Sequence, residues 1–70
     1  MNEKKQEICR KLTAILNMTR GGEDVIALIY TKDEYNEEYV TIHWSNGYKQ
    51  KVRVTADSGV AMIRDVMAAI

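Results

Sequence analysis

Two periods of apolar recurrence divide this chain into elements. Ile8, Cys9, Leu12, Ile15 and Leu16 recur at helical spacing and fall within one arc, which predicts an amphipathic helix from the N-cap candidate Asn2 to about Met18, stopped by Gly21-Gly22. Val25 to Tyr30, VIALIY, is an unbroken apolar run of strand length rich in branched side chains. It predicts a strand, but without alternation its inward side is left unassigned. From Glu38 to Ala56 the period becomes two. Val40, Ile42 and Trp44 share one face and Tyr39, Thr41 and His43 the other, while Val52 and Val54 oppose Lys49, Lys51 and Arg53.

The turn between these two arms must keep their apolar faces together. A two-residue Asn46-Gly47 loop sets Ile42 opposite Lys51 and Val40 opposite Arg53, mixing core with charge, since a slip of one residue inverts every side chain. A three-residue Ser45-Asn46-Gly47 loop, closed by Gly47 in the left-handed region, pairs Trp44 with Tyr48, Ile42 with Gln50 and Val40 with Val52. This second register is the predicted one. It leaves Tyr39, Thr41, His43, Lys49, Lys51 and Arg53 on the reverse face.

The polar run Thr31 to Glu37 predicts a looser turn between the first two strands. Asp57-Ser58-Gly59 offers an N-cap to a helix from about Ser58 to Ile70. Its apolar residues Val60, Met62, Ile63, Val66, Met67 and Ile70 span about 160° of the helix circumference, wider than a surface helix needs. Met62, Val66 and Ile70 are therefore candidates for a homodimer face as well as for core. With short connections, the order α-β-β-β-α predicts an α+β two-layer sandwich. It is a three-stranded antiparallel meander with both helices on one face, forming a single domain over residues 1–70.

Composition narrows the partners. Ten basic and ten acidic residues cancel, so no global charge favours nucleic acid or an anionic membrane. Locally the balance is uneven: residues 21–38 hold six acidic side chains and one basic. One cysteine excludes an internal disulfide and a cysteine-based zinc site, and Cys9, on the apolar arc, reads as a buried thiol. With no signal peptide or long apolar run, a cytoplasmic protein is expected.

Candidate chemistry is sparse. His43 has no second histidine or cysteine cluster with which to share a metal. Ser45 and Ser58 are taken up by a turn and a cap, and Gly21-Gly22 lacks the lysine of a phosphate-binding loop. No enzyme activity, cofactor or metal is expected. Two charged surfaces remain. Asp33, Glu34, Tyr35, Glu37 and Glu38 form an acidic, aromatic-bearing turn suited to a basic protein surface. Tyr39, His43, Lys49, Lys51 and Arg53 form a basic sheet face suited to nucleic-acid phosphates and bases.

The element order resembles the double-stranded-RNA-binding domain, but where that family places a basic cluster, at the start of its second helix, this chain reads Asp57-Ser58-Gly59-Val60-Ala61-Met62. The order together with the acidic turn TKDEYNEEYV is similar to small phage-encoded type II-A anti-CRISPR proteins, whose acidic residues imitate nucleic-acid phosphates in the groove of an effector nuclease. That resemblance implies a phage or mobile-element inhibitor acting through Asp33, Glu34, Tyr35, Glu37 and Glu38 on a basic protein surface. Nucleic-acid binding through the sheet face and homodimerisation are the alternatives.

Overall fold

The structure is a computed structural model and describes residues 3–19 and 24–70. Its elements are α1 (Glu3–Leu16), β1 (Val25–Lys32), β2 (Glu38–Trp44), β3 (Lys49–Arg53) and α2 (Gly59–Ala69). The strands form one antiparallel sheet in the order β1-β2-β3. The predicted α-β-β-β-α order and meander are thus the observed ones. The predicted cap at Asn2 and stop at Gly21-Gly22 lie outside the described residues.

Both helices pack on one face of the sheet. Cys9, Leu12 and Leu16 of α1 and Met62 and Val66 of α2 meet Val25, Leu28, Val40, Ile42 and Val54 in a single buried cluster. Gly59 marks the crossing of the helices, where a Cβ would stand 2.9 Å from Ile8 Cδ1. The α1 helix ends as its last carbonyls are taken up locally: Thr19 donates both its backbone N–H and its hydroxyl to the Leu16 carbonyl. The α2 helix starts at Ser58, whose Oγ accepts from the Ala61 N–H at 3.1 Å. Among the described residues no helix is long and apolar enough to cross a membrane.

The β2–β3 register is the predicted one, with Val40 opposite Val52 and Ile42 opposite Gln50. Trp44 N–H donates to the Tyr48 carbonyl at 2.9 Å and Gly47 adopts φ +89°, which closes the turn in the left-handed region. Strand β1 resolves the side left open by its sequence. Val25 pairs with Trp44 and Ala27 with His43, so Ile26 is an extra residue in the ladder, a β-bulge. Val25 and Leu28 therefore both face the helices while Ile26 stays 60% exposed.

The wide apolar stripe of α2 is divided between core and surface. Met62 and Val66, named as a dimer face together with Ile70, are each 1% exposed and belong to the core, and Ile70 is half-buried against it. Burial removes Met62 and Val66 from any contact surface. The large apolar side chains that α2 leaves exposed are Val60 and Met67.

Candidate functional site

The acidic turn is largely committed to the fold. Asp33 Oδ1 accepts from the backbone N–H groups of Tyr35 and Glu37, both at 2.9 Å, so this carboxylate shapes its own loop. Asn36 takes φ 64°, a left-handed position that asparagine tolerates. Glu37 accepts from Arg53 Nε at 2.7 Å and so ties the acidic turn to the basic row. Of the four carboxylates in this turn only Glu34 has no cation or donor among the described residues, and beside it Tyr35 projects at 76% exposed.

Glu38 departs furthest from expectation. It is 7% exposed rather than available to a partner, because it shares the inward parity of Val40, Ile42 and Trp44. Its Oε1 accepts from Lys5 Nζ and from the Tyr30 hydroxyl, both at 2.6 Å, and its Oε2 from the Ala56 N–H at 2.8 Å. Its backbone bonds Thr55 Oγ1 and Val54 N–H. The donors from Lys5 first, then Tyr30 and Ala56, hold the carboxyl down at about 2. One side chain thereby joins α1, β1 and β2 to the link before α2, where Ala56 sits at φ 63°. A buried carboxylate with these donors is a structural tie, and it leaves the partner-binding set.

The outer sheet face gathers the second set as predicted by parity. His43 lies opposite Lys49, Thr41 opposite Lys51 and Tyr39 opposite Arg53, on the side the helices do not cover. Lys49, Lys51 and Arg53 are exposed, and Tyr39 and His43 are half-buried between neighbours. Lys51 Nζ stands 4.7 Å from the centre of the Tyr39 ring, a cation–π contact that orders this part of the face. Ile29 and Ala27 continue the same face across β1, grading it from apolar at one edge to cationic at the other.

Other features carry no site. Cys9 is fully buried and its thiol is pushed up to about 11 by loss of solvent, so it is an unreactive core thiol. No group of three histidine, cysteine, aspartate or glutamate side chains among the described residues is arranged to hold a metal. A shallow groove of about 220 Å³ runs along the β1 edge beneath Gln6, Arg10 and Thr13. Within it Gln6 Oε1 already accepts the Tyr30 N–H at 3.2 Å, and the bulge at Ile26 interrupts the strand's outer edge. Both features work against an added strand.

Lys5 and Glu38 are the pair that the sequence reading missed, and both left a trace. Lys5 stands three residues before Ile8, four before Cys9 and seven before Leu12, in the middle of the apolar arc of α1. Glu38 continues the inward series of β2 by one step. Two opposite charges on two core-facing stripes predict a buried pair. No protein-family model matches this chain, and no curated protein or solved structure shows significant similarity to it.

Proposed function

We propose that this chain is a non-enzymatic binding module whose outer sheet face receives a polyanion, with nucleic acid as the ligand class. The observation that carries this reading is the row Lys49, Lys51 and Arg53 beside Tyr39 and His43, on a face neither helix covers. Lys49 and Lys51 make no ion pair among the described residues, whereas the acidic turn is mostly engaged within the fold. Phosphates would lie along the β3 row and bases against the central strand. The test is a titration of labelled single-stranded and duplex nucleic acid at low and moderate salt. Binding should weaken steeply with salt, and Lys49→Glu with Lys51→Glu should abolish it. No binding at low salt would remove this reading.

A second reading is supported by Tyr35, the most exposed aromatic side chain of the described residues, beside the unpaired Glu34. In it the turn tip is an inhibitor's contact with a basic protein surface such as the nucleic-acid groove of a CRISPR effector nuclease. Recovery of a basic partner from bacterial lysate, released by Glu34→Lys with Tyr35→Ala, is the expected result. Unchanged recovery would count against the turn.

A further inference from the structure

The register lays the outer sheet face out in transverse rows. Read from β1 through β2 to β3, the first holds Ala27, His43 and Lys49, the second Ile29, Thr41 and Lys51, and the third Thr31, Tyr39 and Arg53. Every row thus has a cation on β3, a ring or a hydroxyl on β2 and an uncharged side chain on β1. Ile29, the large apolar one, is 39% exposed. Neighbouring strands stand about 4.8 Å apart and successive rows about 6.7 Å apart, twice the rise per residue. The row spacing is close to the step between successive phosphates of an extended single strand, and the strand spacing lets phosphate, sugar and base lie across one row. Tyr39 is half-buried, yet one face of its ring admits Lys51 Nζ to 4.7 Å from the centre. An ammonium held there can turn to a phosphate and yield the ring to a base.

We infer that the outer face, on the polyanion-binding reading given above, takes single-stranded nucleic acid in preference to duplex, with the strand running along β3 and one nucleotide to each row. Phosphates meet Lys49 and Lys51, a base stacks on Tyr39 in exchange for Lys51, and another lies against His43 with Ile29 at its edge. A duplex keeps its bases stacked on one another. It satisfies the β3 cations but leaves Tyr39, His43 and Ile29 without partners. At the Tyr39 end the track meets Glu37, which holds Arg53 at 2.7 Å, and the like charge of the acidic turn behind it. The bound strand therefore extends beyond the face past Lys49.

Fluorescence anisotropy on the intact protein tests this, with one labelled single-stranded oligonucleotide as DNA and as RNA, the duplex of the same sequence, and inorganic polyphosphate as a base-free competitor. Either single strand should bind at least about fivefold more tightly than the duplex, the lower bound for one stacked base. Tyr39→Leu keeps bulk on the strand and removes the ring, so it should lower single-strand affinity by a similar factor and leave polyphosphate affinity unchanged, while Tyr39→Phe should bind like the parent. Duplex binding equal to or tighter than the single strand would overturn the inference and leave the polyanion reading standing. So would a folded Tyr39→Leu protein that binds single strands like the parent, or one whose loss falls equally on polyphosphate. No binding of single strand, duplex or polyphosphate would remove both.

Discussion

The acidic stretch from Asp33 to Glu38 and the basic row of β3 carry similar amounts of charge, yet the fold uses them differently. Asp33 builds its own turn, Glu37 reaches across to Arg53, and Glu38 is enclosed by Lys5, Tyr30 and Ala56. Lys49 and Lys51, by contrast, stand exposed on the outer strand face, with Lys51 over the Tyr39 ring and neither in an ion pair among the described residues. The difference comes from position relative to the layers. The acidic stretch lies where the chain enters the sheet beneath α1, so its last carboxylate must turn inward. The β3 cations occupy the parity that points away from both helices. A cluster of charge in a sequence is therefore a weak guide to a binding surface until it is known which members the fold consumes.

Substitutions can break this contrast, and the largest effect is expected at Glu38. Glu38→Gln weakens the tie to Lys5 and leaves a buried ammonium without its counter-charge, so unfolding by urea should show a loss of about 3 kcal/mol. The same carboxylate sets an acid limit. Its folded value of about 2 lies below its ordinary 4.5. Its contribution is present above 4.5 and is lost as pH falls through about 2, and that decline should vanish in Glu38→Gln.

Asp33→Ala comes next. It removes the acceptor of two turn N–H groups that water can partly replace, for a cost of about 1 kcal/mol by the same measurement. Glu37→Gln sharpens the contrast rather than breaking it: the Arg53 pair is solvent-exposed, so the denaturation midpoint should stay within error while Arg53 becomes a third unpaired cation on the outer face. Any salt-dependent binding of nucleic acid should then strengthen. Smallest in stability is Lys49→Glu with Lys51→Glu. The double variant should unfold like the parent while its binding to polyanions disappears. A large loss of stability there would mean that these lysines too are structural.

Much of the fold was legible because its signals are local. The three-residue turn at Ser45-Asn46-Gly47 was the register that kept Val40 and Ile42 facing with Val52 and Gln50, and Gly47 supplies the positive φ that such a loop requires. The cap at Ser58 likewise needed only neighbouring residues. The β1 strand was harder. Its bulge places Val25 and Leu28 inward at an interval of three, so a rule of strict alternation had nothing to hold. The stripe of α2 was wide enough for core and partner alike, and only packing against the sheet assigned Met62 and Val66 to the first.

The sequence by itself determined which segments coil or extend and which sides of the hairpin belong together, because helix and strand periods and turn geometry act over a few residues. Tertiary structure decided which charges remain on the surface. Lys5 and Glu38 are 33 positions apart and meet at 2.6 Å only when α1 is laid on the sheet. Once Glu38 is inside, its desolvation demands every donor within reach, and that demand withdraws it from the outer surface.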